Sequence, residues 1–137
     1  MSYLLDTNVV SEARRKTPDA GVIRWLAERP AATLYLSVLT LGELRKGIET
    51  LADEHRRGLL QDWLEVELPA FFTGRILPVD AAVADNWGRL LASAGRSLPS
   101  IDRLIGATAA RHGMSVVTRN AKDYAGLGIT VINPWSS

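Results

Sequence analysis

Short apolar runs closed by turn residues alternate with longer stretches whose apolar positions recur at helical spacing. That alternation predicts an α/β fold around a largely parallel sheet. The runs predict strands at Tyr3–Leu5, Leu34–Leu36, Arg75–Leu77, Ser115–Thr118 and Thr130–Ile132. Each is short, so helices must cover both faces of the sheet. Helical spacing falls at Asn8–Arg14, Asp19–Glu28, Val38–Thr50, Asp53–Phe72, Ala81–Ala94 and Ile101–His112. In the third of these, Leu41, Leu44, Ile48 and Leu51 form one apolar stripe. Pro18-Asp19, Asp80 before Ala81, and Ser100 before Ile101 read as helix starts, and His112-Gly113 reads as a stop. No repeat, low-complexity tract or linker interrupts the pattern, so a single domain over residues 1–137 is expected.

Composition narrows this picture. With 137 residues, 47% hydrophobic, and a mean hydropathy of +0.03, the chain has apolar material for one real core. The net charge of +1 gives no bulk argument for nucleic acid or membrane. Residues 1–69 carry nine basic and eleven acidic side chains and residues 70–137 seven and four, so the halves differ only mildly, at −2 and +3. Cysteine is absent, which excludes disulfides, thiolate metal sites and cysteine nucleophiles. The N-terminus has no signal-peptide pattern, and no apolar run approaches the ~18–20 residues that span a bilayer. A cytoplasmic protein is expected.

Four acids stand out. Asp6 follows the strand Tyr3–Leu5 and sits where parallel α/β sheets place their ligand crevice, although it equally reads as the N-cap of the next helix. Glu43 precedes Leu44 at the edge of the apolar stripe, where it either borders a cleft or is a half-exposed surface residue. Gly42 beside it lowers helicity, which suggests close approach by a neighbour. Asp102 falls in the first turn of a helix, a position the helix dipole favours in any case. Asp123 follows the strand Ser115–Thr118 and also reads as a turn residue.

Singly each acid has a structural explanation, but the fold puts all four on connections at one end of one sheet. Converging carboxylates repel unless a cation neutralises them, and an all-oxygen set selects a hard ion such as Mg²⁺ or Mn²⁺. The matching chemistry is metal-assisted attack of water on a phosphodiester. Other catalytic devices are missing. His55 and His112 have no triad or zinc pattern, and no Gly-rich phosphate loop occurs. Trp25, Trp63, Trp87 and Trp135 are scattered and read as core or interface residues.

The chain resembles the PIN-domain ribonucleases, and within them the VapC toxins of bacterial toxin–antitoxin pairs, FitB-like branch. The resemblance runs through Leu4-Leu5-Asp6-Thr7-Asn8-Val9-Val10-Ser11-Glu12 and Leu36-Ser37-Val38-Leu39-Thr40-Leu41-Gly42-Glu43-Leu44-Arg45-Lys46-Gly47. It continues through Gly74-Arg75-Ile76-Leu77-Pro78-Val79-Asp80, Ile101-Asp102-Arg103-Leu104-Ile105-Gly106-Ala107 and Thr118-Arg119-Asn120-Ala121-Lys122-Asp123-Tyr124, and ends with Ile132-Asn133-Pro134-Trp135. It implies a three-layer α/β/α PIN-like fold with a mainly parallel five-stranded sheet in the order 3-2-1-4-5. It implies that Asp6, Glu43, Asp102 and Asp123 hold one or two Mg²⁺ or Mn²⁺ ions and cleave RNA endonucleolytically. Asp6 and Asp102 are expected as direct ligands, Glu43 as ligand or base, and Asp123 through water. Thr7, Asn8, Thr118 and Asn120 match polar positions that orient the acids or the water. The implied partners are a structured RNA substrate, a second copy of the chain, and a cognate VapB-type antitoxin that inhibits the toxin and supplies operon DNA binding. Gly106 and Tyr124 depart from the Ala and Phe common in the family.

Other readings remain open on the residues alone. A toxin–antitoxin complex whose main output is operon DNA binding needs the same fold. A phosphatase or phospho-acceptor domain is disfavoured because Asp6-Thr7-Asn8 lacks a second acid two residues on. A purely structural module predicts that amides at the four acids change nothing in cells. Arg14, Arg15, Lys16, Arg45, Lys46 and Arg119 are candidates for phosphate contacts, or a solvated surface.

Overall fold

The computed structural model describes residues 1–93 and 100–136. Five parallel strands form one sheet in the order β3-β2-β1-β4-β5. They are β1 (Tyr3–Leu5), β2 (Leu34–Ser37), β3 (Ile76–Leu77), β4 (Ser115–Val117) and β5 (Val131–Ile132). Leu4 of central β1 lies opposite Tyr35 of β2 and Val116 of β4, and Leu5 lies opposite Val117. The three inner strands β2, β1 and β4 are largely buried on both faces, which explains their continuous apolar runs, while the edge strands β3 and β5 are half-buried. The expected α/β architecture and strand order are both present.

Around the sheet lie α1 (Thr7–Ala13), α2 (Ala20–Ala27), α3 (Val38–Glu49), α4 (Glu54–Asp62), α5 (Leu68–Phe71), α6 (Ala81–Ser93) and α7 (Ser100–His112). One core, on the α1–α5 side, gathers Leu5, Val9, Leu36, Leu44, Ile48, Trp63 and Phe72. The other gathers Leu4, Ile105, Ala109, Val116, Tyr124 and Leu127. Side-chain caps set several helix starts. Asp19 accepts from the amide of Val22, Ser37 from Leu39 and Asp53 from Arg56.

The expected helix over Asp53–Phe72 is interrupted by a wide π-turn at Trp63–Glu67. That turn brings Trp63, Leu64 and Leu68 into the core, a registration that a uniform 3.6-residue period does not supply. Gly42 has no close neighbour, since a Cβ there would meet nothing within 4 Å, so the expected close approach is absent. The predicted helix end at Ala94 lies outside the described residues.

Candidate active site

Asp6 is the first residue past β1, and its side chain is 5% exposed. It caps the next helix and lines a cleft at once. Oδ1 accepts from the Thr7 amide at 2.8 Å as the N-cap of α1. Oδ2 accepts from Thr118 Oγ1 at 2.8 Å, from the Tyr124 hydroxyl at 3.1 Å and from Asn8 Nδ2 at 3.4 Å. A buried carboxylate left without such donors would be costly, so these bonds fix its position as well as tolerate its charge.

The donors hold one another. Thr118, just past β4, accepts from Asn8 Nδ2 at 3.2 Å and from the Asn120 amide at 3.0 Å. Asn8 Oδ1 in turn accepts from the Arg119 amide at 3.2 Å. Thr7 Oγ1 donates to Glu43 Oε1 at 2.6 Å, with the buried Thr40 hydroxyl 3.1 Å away. Thr7 therefore ties α1 to Glu43 on α3. Asn120 contributes its backbone to this network and its side chain to the cleft wall.

Asp6, Glu43 and Asp102 line one open cleft of about 450 Å³, together with Thr7, Asn8 and Asn120. Asp123 does not line it. It is half-buried in a 3₁₀ turn, Ala121–Tyr124, but near enough for its charge to act on Asp102. Asp102, half-buried in the first turn of α7, has its carboxyl pushed up to about 6. Burial is the larger cause, followed by the negative charges of Asp6, Asp123 and Glu43, against a lowering hydrogen bond from Tyr124. Tyr124 sits buried between Asp6 and Asp102, its phenol held protonated by burial and by the flanking carboxylates. Its role escaped the sequence reading. The available signals were its adjacency to Asp123 and the hydroxyl that sets it apart from the Phe expected there.

The remaining cleft residues are Ser11, Glu12, Arg15, Arg119 and Trp135. Among the described residues, no group of three or more His, Cys, Asp or Glu side chains is disposed to hold a metal ion as it stands. The carboxylates supply oxygen donors, and the charges that most raise Asp102 are those of Asp6, Asp123 and Glu43, an arrangement that a hard divalent cation would relieve. The residues fit such an ion by charge and by donor chemistry.

The PIN domain family matches residues 3–125. A VapC ribonuclease of Sinorhizobium fredii is 38% identical over 135 residues, covering 96% of each chain. The crystal structure of FitAcB from Neisseria gonorrhoeae is similar at a TM-score of 0.93 and 36% identity, covering 98% of this chain and 99% of that one. The structure of FitAB bound to a DNA fragment is similar at a TM-score of 0.91 and 34% identity, with 98% and 96% covered.

Proposed function

The chain belongs to the PIN-domain family, among the VapC and FitB toxins of toxin–antitoxin systems, and from that membership we propose that it is an endoribonuclease dependent on Mg²⁺ or Mn²⁺. The observation that carries the proposal is the cleft in which Asp6, Glu43 and Asp102 meet at the carboxyl ends of β1 and β4 and their neighbouring helices, and in which like charges raise Asp102.

Asp6 and Asp102 would hold the ion directly, Glu43 would serve as a further ligand or as a base, and Asp123 would act through water. The bound ion supplies charge neutralisation at the phosphate and a more acidic water. The chain's own residues do the positioning. Thr118, Asn8 and Tyr124 fix Oδ2 of Asp6, leaving its direction set before any ligand arrives. Thr7 holds Glu43 beside it in the cleft. Glu43, when released from Thr7, is the group able to take a proton from an attacking water. Asn120 presents a polar side chain on the cleft wall without adding charge.

The substrate is structured RNA of the transfer or ribosomal class, and the working form is one domain, dimeric, and cytoplasmic. No helix among the described residues is long and apolar enough to cross a membrane. A cognate VapB-type antitoxin neutralises it. An apolar groove of about 680 Å³, lined by Val10, Leu26, Trp63, Leu68, Phe71 and Phe72, supports such a partner, since Phe71 is exposed there.

A second reading has its own support in the DNA-bound FitAB structure. In it the toxin–antitoxin complex serves mainly to bind operon DNA, with RNA cleavage weak. Incubating total RNA with the purified, partner-free chain separates the two. Discrete cleavage that needs Mg²⁺ or Mn²⁺, stops with chelator and is lost in Asp6→Asn establishes the ribonuclease. Intact RNA, with DNA bound tightly once the antitoxin is added, establishes the second reading.

A further inference from the structure

The cleft continues past the carboxylates. Its wall runs along α1 from Thr7 through Ser11 and on to Arg15 just past the helix, and is also lined by Arg119 and Trp135. Helix α1 rises about 9 Å between Thr7 and Ala13 at ~1.5 Å per residue, so the cleft has length to spare beyond a group held at Asp6.

Trp135 lies two residues from the chain's last residue, yet it is anchored. Ser136 donates from its amide and hydroxyl to Asp19 Oδ2 at 3.0 and 3.1 Å, and accepts from the Gly21 amide at 3.0 Å. The segment presses so closely on α2 that a Cβ at Gly21 would lie 2.6 Å from the Pro134 carbonyl oxygen. Glu12, 6% exposed, holds the Asp19 amide at 2.8 Å from below. The indole packs partly on the core and partly in the cleft. The Arg119 guanidinium lies 5.4 Å from its ring centroid, and among the described residues it has no carboxylate partner. The Arg119 backbone is fixed by Asn8, the same side chain that bonds Thr118 and Asp6. An aromatic surface and a free cation are thus held in register with the carboxylates.

We propose that Arg119 and Trp135 form a subsite for the nucleotide adjacent to the cleaved bond of an unpaired RNA strand. The guanidinium takes a phosphate and the indole takes the face of a base. This rests on the ribonuclease reading and names where that substrate lies. A structural role alone would explain a tryptophan on the core, but not an unpaired arginine placed over it at the mouth of the acidic cleft.

The test is binding rather than cleavage. An Asp102→Asn parent, in Mg²⁺, is titrated with a short labelled single-stranded RNA of mixed sequence over a series of salt concentrations, and compared with Arg119→Gln, Trp135→Ala and Trp135→Leu added to it. Arg119→Gln is expected to reduce the slope of log affinity against log salt by about 0.7, the value of one phosphate contact on a single strand. Trp135→Ala is expected to weaken binding about tenfold or more at unchanged slope. Trp135→Leu, which keeps apolar packing, should show the same loss if Ala unfolds the segment. Unchanged slope and unchanged affinity in variants that melt like the parent overturn the subsite while leaving the ribonuclease reading intact. A parent that binds no RNA, together with an unsubstituted chain that cuts none, overturns both. Binding of an acidic peptide in place of RNA, lost in Arg119→Gln, assigns the pair to a protein partner and overturns the proposal.

Discussion

Asp102 is where burial and repulsion meet. Its carboxyl, ordinarily near 3.8, is raised to about 6 in the folded chain. Between those values the folded state binds more proton than the unfolded one, so this group's contribution to stability is greatest at pH 4 and below. It is lost as pH rises toward and past about 6. Asp102→Asn removes the penalty and should stabilise the metal-free protein at pH 7. The gain should be of the order of 1 kcal/mol once solvent screening of a partly exposed group is allowed for. Thermal melts of both proteins at pH 4.5 and 7.5 check this. The gain should be small at the lower pH and larger at the higher, and a gain independent of pH would contradict it. Tyr124 acts in the opposite sense, because its hydroxyl bonds Asp6 and lowers Asp102. Tyr124→Phe should therefore raise the Asp102 titration midpoint read by NMR and cost about 1–2 kcal/mol of stability through the lost bond to a buried carboxylate.

At the scale of elements, the legible features were those whose cause is local. Short apolar runs gave strands to within a residue, and Asp19 and Asp80 accept from the amides of Val22 and Val83 at helix starts as expected, while Ser100 is itself the first residue of α7. Asp6, read as either cap or functional acid, is the cap and also a member of the cleft, because its two oxygens serve different donors. The grouping of Asp6, Glu43 and Asp102 followed from their places relative to the strands. Features with a nonlocal cause were not legible. The π-turn at Trp63–Glu67 depends on what the core accepts, and Tyr124 reaches Asp6 across 118 positions of sequence. The same holds for Gly21, whose missing Cβ makes room for the C-terminal segment. Gly21→Ala should displace residues 134–136 and cost about 1–3 kcal/mol, an overpacking penalty against backbone. Faster amide exchange at Ser136 would report the displacement, and unchanged exchange with unchanged stability would refute it.

For the whole molecule, the two cores and the cleft are mechanically joined through β1. Leu4 and Leu5 point into opposite cores, and Asp6 follows them directly. Loss of either core should therefore loosen the site. Leu36→Ala, at a fully buried position in the neighbouring strand, should cost about 2–5 kcal/mol by chemical denaturation. A ligand that binds only the folded chain stabilises it by an amount that grows with its concentration relative to its dissociation constant. Mg²⁺ or Mn²⁺ should accordingly raise the melting temperature at pH 7.5. The rise should shrink at pH 5, where Asp102 holds its proton.

The central claim is that the repelling carboxylates of the cleft are a divalent-cation site. It is tested most directly by calorimetric titration of Mn²⁺ into the purified chain at pH 7.5, beside Asp6→Asn and Asp102→Asn. Saturable binding that either substitution weakens tenfold or more is the predicted result. Folded protein that binds no Mn²⁺, or binds it equally well without either acid, would contradict the account.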